Sequence, residues 1–305
     1  MSERSCAVVA ILGAPNAGKS TLVNRLVGKK VSIVTHKVQT TRFPLRGVAL
    51  VGEAQLVLID TPGVFAPRRR LDRAMVRSAW MALDGADAII HLVDAAAFVR
   101  REGGDAQEDV ARITDYLLQH GKKAILALNK IDAMAREDLL AATRRLVDSG
   151  AYDGVFMISA LSGDGVDDLA NHLAGLAPKG PWLFPEDQLA DAPSRLMAAE
   201  ITREKLMLRL HDEVPYEATV ETETWQERKD GSARIEQTIY VARDSQRKIA
   251  IGENGQTVKA IGQAARKEME ALFERPIHLF LHVKVKENWS EERARFSAIG
   301  LDWDS

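Results

Sequence analysis

The chain has 305 residues, enough for about two domains. Its net charge of −2 excludes a basic protein of the kind that binds nucleic acid over its whole surface, so any such site must be local. The single cysteine, Cys6, excludes an internal disulfide framework, the seven histidines form no zinc-type spacing with it, and no run approaches the roughly 18 apolar residues of a membrane span.

Residues 1–177 alternate short β-rich runs with longer helical ones. The runs are "AVVAIL" (7–12), "QLVLID" (55–60), "ADAIIHLVDA" (86–95), "KAILALNK" (123–130) and "GVFMISA" (154–160). Continuous rather than alternating hydrophobicity predicts strands of a parallel sheet buried on both faces. Helical patterns fall between them, for example over 136–149 and 165–176. The expectation is an α/β doubly wound domain with a mostly parallel sheet. The early run "CAVVAILGA" leads straight into a glycine-rich loop, which reads as a buried strand rather than a secretory signal. A soluble cytoplasmic protein is expected.

The stretch 177–195 holds four prolines and no periodicity, and reads as a linker. A helix is predicted from about 194 to 211. "YEATVETETW" (216–225) and "RIEQTIYVA" (234–242) alternate as strands around a "KDGS" turn. A short helix, "KIAIGENGQTVKAIG" (248–262) and a helix with Val258, Ile261, Ala265 and Leu272 on one stripe follow. In "IHLFLHVKV" (277–285) Ile277, Leu279, Leu281, Val283 and Val285 face one way. His278, Phe280, His282 and Lys284 face the other. The order α-β-β-α-α-β predicts a small α+β domain, with a short helix and tail after 288.

"GAPNAGKS" (13–20) follows the first strand and precedes an apolar helix, and matches G-x-x-x-x-G-K-[ST]. Gly13 and Gly18 let the backbone wrap a polyphosphate, Lys19 reaches the β- and γ-phosphates, and the Ser20 hydroxyl can ligate Mg²⁺. "DTPG" (60–63) supplies Asp60 for Mg²⁺ and the Gly63 N–H for the γ-phosphate. "NKID" (129–132) offers Asn129 and Asp132 to a purine edge, with Lys130 over the ring. A carboxylate accepting from N1–H and the 2-amino group selects guanine, because adenine lacks those donors. "SAL" (159–161) presents the Ala160 N–H to the guanine O6. All four stretches end predicted strands in order, where doubly wound sheets bind ligands.

On these motifs residues 1–177 resemble a translation-factor-class GTPase of the Era/TrmE type. "PN" inside the phosphate loop and "QTTR" (39–42) favour that branch over Ras-like proteins. The resemblance implies that Thr41 ligates Mg²⁺ in the GTP state, and that Asn16 binds a K⁺ ion standing in for an arginine finger. The expected nucleotide set is Gly13, Asn16, Ala17, Gly18, Lys19, Ser20, Thr21, Asp60, Gly63, Asn129, Lys130, Asp132, Ser159, Ala160 and Leu161. Metal ligands are Ser20, Thr41 and Asp60, and catalysis rests on Lys19, Thr41 and Gly63. Ras-type enzymes place a glutamine after the DxxG glycine; here Val64 stands there, so slow intrinsic hydrolysis is expected. The run "RRR" (68–70) reads equally as a partner contact or a solvated loop.

The second domain resembles a type II KH domain. Gly252 and Gly255 would let the backbone approach single-stranded RNA phosphates. Lys248, Ile251, Gly252, Glu253, Asn254, Gly255 and Lys259 are the expected RNA contacts, with Ile249, Ile251, Val258 and Ile261 as a groove floor. Arg243, Arg247, Arg266 and Lys267 add local charge. Glu253 departs from the pattern, since a carboxylate repels phosphate. The whole chain is similar to the Era family: GTPase domain 1–177, linker 178–193 with "FPED", KH domain 194–288 ending in "LHVKVKENW", and tail 289–305. That resemblance implies a cytoplasmic, partly membrane-associated GTPase, although no strong amphipathic basic helix is visible and a soluble surface fits the sequence better; a monomer is expected. It would bind the 3′ end of small-subunit ribosomal RNA and assist maturation of the small ribosomal subunit. The alternative is a regulatory GTPase whose KH fold has become a protein-docking module, with Glu253 as its mark.

Overall fold

The structure is a computed structural model, described for residues 4–100, 104–211, 213–289, 292, 293, 296 and 301–303. Most of the expected tail, 289–305, lies outside the described residues. The chain divides into two compact units: residues 4–32 with 41–191, and residues 33–40 with 192–303.

The first unit contains β1 (Ser5–Leu12), α1 (Lys19–Val27), β2 (Leu45–Val51), β3 (Ala54–Asp60), α2 (Arg70–Met81) and β4 (Ala88–Asp94). It continues with α3 (Ala95–Arg100), α4 (Asp105–Gln119), β5 (Ala124–Asn129), α5 (Arg136–Val147), β6 (Tyr152–Met157) and α6 (Val166–Leu176). The strands form one sheet in the order β2-β3-β1-β4-β5-β6. All neighbours are parallel except β2 and β3. Strand β2 is not announced by the hydrophobic runs. It pairs with β3 through a short turn around Gly52, and its register places Leu45 opposite Asp60.

Alternate residues of β1 serve opposite faces, as the pleat requires. Ala7, Val9 and Ile11 pack with Leu22 of α1 and Leu169 and Leu173 of α6. Ala10 and Leu12 pack with Ala79 of α2 and Ile113 and Leu117 of α4. The sheet is therefore covered on both sides, and β1, β3, β4 and β5 are near-continuously buried. Strand β6 is the edge and alternates in exposure instead, so the fully buried reading of "GVFMISA" does not hold there.

The proline-bearing stretch after α6 is strapped onto this unit. Cys6 N–H donates to the Pro178 carbonyl, and Val48 N–H to that of Leu189. The Arg4 guanidinium lies 4.3 Å over the Trp182 ring. Gln55 is wholly buried, and its Oε1 accepts both the Leu183 and Phe184 N–H groups, while its Nε2 donates to the Phe184 carbonyl.

His91 sits fully buried in β4. Its Nδ1 is 2.8 Å from the Tyr152 hydroxyl, which also meets Thr114 Oγ1 at 2.9 Å. Its Nε2 has no hydrogen-bond partner. Burial, with a smaller push from Lys19, drives its pKa from 6.5 down to about 3. The folded chain then holds fewer protons than the unfolded one between those values, so stability is fully present above the upper value and falls as pH drops through the window. The expected loss is up to about 1.4 kcal/mol per pH unit, and His91→Gln flattens the slope in denaturant titrations read across pH.

The second unit contains α7 (Ser194–Arg209), β7 (Ala218–Glu227), β8 (Ala233–Val241), α8 (Asp244–Ile251), α9 (Gln256–Phe273) and β9 (Ile277–Val285). The sheet order is β7-β8-β9, with β7 antiparallel and β9 parallel to β8. Strand β7 starts at Ala218, so Tyr216, the first residue of the predicted strand 216–225, precedes it. Helices α7 and α9 cover one face through Met197, Ile201, Ala265 and Met269. Helix α7 also buries polar groups. The Arg203 guanidinium bonds both Glu200 carboxylate oxygens and donates to the Thr40 carbonyl, and Glu204 accepts the Val34 N–H at 2.8 Å. The stretch 33–40 thereby belongs to this unit. No helix among the described residues is long and apolar enough to cross a membrane.

Candidate functional site

Parallel strands bring their carboxyl ends to one edge, and that is where the predicted motifs gather. The loop from Leu12 to Lys19 runs tight to its neighbours. A Cβ on Gly13 would lie 2.4 Å from the Leu92 carbonyl, and one on Gly18, at φ +101°, 2.3 Å from Asn129 Nδ2. Only glycine fits either position. The Lys19 ammonium is buried and donates to the Gly13 and Ala14 carbonyls at 3.0 and 2.9 Å. Burial pushes its pKa down to about 8, against Asp60, which raises it.

Three oxygens converge beside it. Ser20 Oγ donates to Asp60 Oδ2 at 2.7 Å and lies 2.9 Å from Thr41 Oγ1, which reaches the same carboxylate at 3.4 Å. The other carboxylate oxygen, Oδ1, is buried without a partner. Burial raises the Asp60 pKa, and the Ser20 hydroxyl and Lys19 oppose it. A hard divalent cation suits this set, since Mg²⁺ takes hydroxyl and carboxylate oxygens and would supply the charge that the orphaned Oδ1 lacks.

The "DTPG" stretch is pinned to the phosphate loop. Thr61 Oγ1 donates to the Ile11 carbonyl, and a Cβ on Gly63 would sit 2.8 Å from the Pro15 nitrogen. Val64 is wholly buried and its N–H donates to the Gly13 carbonyl at 3.0 Å. It packs with Leu12, Ile59 and Ala79, so the position usually given to a water-orienting glutamine here serves the core.

At the base end, Asn129 is buried and has both amide atoms engaged. Its Nδ2 donates to the Ala17 carbonyl at 2.7 Å, and its Oδ1 accepts the Ala160 N–H at 2.9 Å. The N–H expected to meet the guanine O6 thus also ties "SAL" to "NKID". Lys130, at φ +66°, spans to the Asn16 carbonyl at 2.8 Å and the Asp94 carboxylate at 2.6 Å. Asp132 and Leu161 are exposed, Ser159 and Ala17 are buried, and Thr21 is half-buried. Asn16 is exposed at φ +63°.

Two contributors on α1 escape motif reading. Asn24 Oδ1 accepts the Val31 and Ser32 N–H groups at 2.8 Å, and its Nδ2 donates to the Ser32 carbonyl, so it fixes the chain entering 33–40. Arg25 donates to the Ala160 and Leu161 carbonyls. Neither residue type marks itself in a helix; only its distance from the phosphate loop hints at the role.

In the second unit α8 ends at Gly252, with φ +75°, and α9 starts after Gly255, with φ +76°. A Cβ on Gly252 would lie 2.2 Å from Thr257 Oγ1 and 2.9 Å from the Thr257 nitrogen. Asn254 takes φ +49° between them. Glu253, Lys248 and Lys259 are exposed, and Lys248 and Arg247 pair with Asp244 at 3.6 and 3.4 Å. Arg266 pairs with Glu270 at 4.0 Å. Ile249 is exposed, and Ile251 and Val258 are half-buried. Ile261, expected in the groove floor, is instead fully buried against Ala250 and Ile239, because the α9 stripe turns it into the core.

Residues 8–130 match the family of 50S ribosome-binding GTPases, and residues 213–290 match the KH domain. The chain is 59% identical to GTPase Era of Caulobacter vibrioides over 310 residues, covering 99% of this chain and 98% of that one. The chain belongs to the Era GTPase family. The Era of Maricaulis maris is 54% identical with 99% of each chain covered, and that of Rhizobium meliloti 56% identical over 97% and 92%. A solved Era in complex with MgGDPNP and nucleotides 1506–1542 of 16S ribosomal RNA superposes with a TM-score of 0.89 at 35% identity, covering 97% of this chain and 99% of that one. A variant of Aquifex aeolicus Era bound to GDP·AlF4⁻ gives the same score and coverage. This Era family member is a GTPase with a P-loop fold on a mostly parallel sheet, followed by a KH domain.

Proposed function

We propose that this chain is a GTP-hydrolysing ribosome-assembly factor that binds the 3′ region of small-subunit ribosomal RNA through its KH unit, with the nucleotide state controlling binding and release. The carrying observation is the solved relative that holds both MgGDPNP and nucleotides 1506–1542 of 16S ribosomal RNA and covers nearly all of this chain. The chain's own residues fit both ligands. Gly13 to Thr21 wrap the phosphates. Ser20, Thr41 and Asp60 hold Mg²⁺, which supplies charge neutralisation for phosphoryl transfer. Asp132, exposed beside Lys130, reads guanine.

Lys19 and Gly63 act on the γ-phosphate by position and charge, and no side chain here serves as a general base. With Val64 buried, water must be oriented by something else. K⁺ at Asn16 is the family-based expectation for the missing positive charge. Thr41 directly follows the stretch 33–40, which Arg203 and Glu204 hold in the second unit. Ordering of Thr41 by GTP therefore bears on the unit that carries the Gly-x-x-Gly loop. Lys248, Ile251, Gly252, Glu253, Asn254, Gly255 and Lys259 face the RNA. Glu253 is exposed, which leaves the backbone to make the close approach.

The test is binding of a labelled oligonucleotide copying the 3′ tail of small-subunit ribosomal RNA, with GDP and with a non-hydrolysable GTP analogue. Tight, salt-sensitive binding with the analogue and weak binding with GDP is expected. Absence of binding in both states would turn the reading to a protein-docking KH fold.

A further inference from the structure

The face of the second unit's sheet turned away from its helices carries chemistry that the Gly-x-x-Gly loop does not use. Leu279, Leu281 and Val283 of β9 pack inward with the helices. Between them His278, Phe280, His282 and Lys284 are exposed. Across the β8–β9 ladder their neighbours are Arg234, Glu236, Thr238 and Tyr240 respectively. Phe280 is 44% exposed and lies outside the two clusters that pack the sheet against its helices among the described residues. The Arg234 guanidinium lies 4.6 Å from its centroid, and the Lys286 ammonium 5.9 Å from that of Tyr240.

A lone exposed phenylalanine needs no explanation. A phenylalanine flanked by imidazoles two residues either way, with a guanidinium on one face and an ammonium along the strand, has the composition of a base-stacking platform. The charge is divided across the sheet. On β8, Glu236 is bonded by Arg234 at 2.6 Å, and on the far strand β7 Glu223 accepts the Tyr240 hydroxyl at 2.8 Å. Glu221 lies on that far strand too, opposite Thr238. On β9, His278, His282 and Lys284 make no ion pair among the described residues. The outward face of β9 thus presents one lysine and three rings, and Glu236, the ladder partner of Phe280, is held by Arg234.

Position gives continuity with the RNA site. Helix α8, which ends in the Gly252–Gly255 loop, packs beside β9, whereas α7 packs on β7. Gly262 of α9 comes so near β9 that an added Cβ would lie 3.3 Å from Leu281 Cδ1. Strand β9 is the sheet edge on the side where α8 packs, so an RNA strand leaving the loop reaches the outward face by turning round that edge. We propose that the outward face of β9, centred on Phe280 with His278, His282, Lys284 and Arg234, is a second single-stranded RNA subsite that stacks a base flanking those held at the Gly-x-x-Gly loop.

This rests on the RNA-binding reading above, and its test separates the two. Full-length protein with a non-hydrolysable GTP analogue is titrated with two labelled oligonucleotides of the ribosomal 3′ tail. One spans only the nucleotides a KH loop clamps; the other extends beyond them on both sides. Phe280→Ala is expected to weaken the long oligonucleotide roughly tenfold and to leave the short one within about twofold, the size of one lost base stack. Lys284→Ala is expected to reduce the salt slope for the long oligonucleotide only. Ultraviolet cross-linking of the wild type should place the long RNA on the peptide containing Phe280. Circular dichroism and GTP turnover, which β9 does not touch, report whether each variant is folded. Equal affinity of Phe280→Ala and wild type for the long RNA, with no cross-link on β9, overturns the subsite while the loop reading stands. Wild type that binds neither oligonucleotide overturns both.

Discussion

Replacing Gly252 by aspartate is expected to abolish RNA binding while leaving GTP hydrolysis intact. The position combines two demands that only glycine meets. Its φ of +75° is strained for any residue with a Cβ, and that Cβ would lie 2.2 Å from Thr257 Oγ1 and 2.9 Å from the Thr257 backbone nitrogen. The second contact is with backbone at the start of α9, so the helix must shift and the loop must reshape. The new carboxylate also stands where phosphate approaches. Loss of affinity by roughly 100-fold or more, about 2.7 kcal/mol, is expected in anisotropy titrations with the analogue-bound protein. Gly255→Ala is the milder companion, since it carries the same sign of φ but open space around the added methyl. If Gly252→Asp binds RNA as well as wild type, the loop is not the clamp. Glu253→Lys probes the remaining question with the opposite sign: an exposed carboxylate that repels phosphate should give tighter, more salt-sensitive binding when reversed.

Replacing Lys19 by methionine is expected to lower GTP turnover by about 10²–10³-fold, the usual cost of removing one preorganised donor from a developing charge. Methionine keeps much of the apolar stem and removes the ammonium, which donates to the Gly13 and Ala14 carbonyls. Single-turnover hydrolysis at saturating GTP isolates this from lost affinity. The same lysine sets a pH dependence. Burial holds its pKa at about 8. A bound polyphosphate raises that value, because it adds negative charge beside the ammonium. Below the lower value the lysine is already charged, and affinity is flat. Above it, binding must take up a proton, and GTP affinity falls by up to about tenfold per pH unit. In Lys19→Met that slope disappears. A wild-type affinity that is level from neutral pH to well above the lysine's pKa would show that the ammonium does not meet the phosphates.

Much of the nucleotide site was legible because its chemistry is local. "GAPNAGKS", "DTPG", "NKID" and "SAL" each end a strand, and a parallel sheet delivers strand ends to one edge whatever the details of packing. Likewise the alternation of "IHLFLHVKV" gave its two faces directly, since the pleat has a period of two. The α-β-β-α-α-β order was legible for the same reason.

Other features depend on residues far apart in the chain. Strand β2 exists because β3 offers a partner, and its own pattern is too mixed to announce it. Asn129 serves as a strut between Ala17 and Ala160, which no spacing within "NKID" foretells. Gln55 is a polar residue inside an apolar run, and only the chain returning at Leu183 and Phe184 satisfies it. Ile261 reads as a groove residue until the helix is seated and turns it inward. The assignment of residues 33–40 to the second unit rests on Arg203 and Glu204, about 170 positions away. By itself, then, the sequence determined which nucleotide and which backbone loop this protein offers, because those depend on residue type at short spacing. Only the tertiary structure decided which buried polar groups hold the site together, because a buried hydrogen-bonding group takes whatever partner the fold brings within reach.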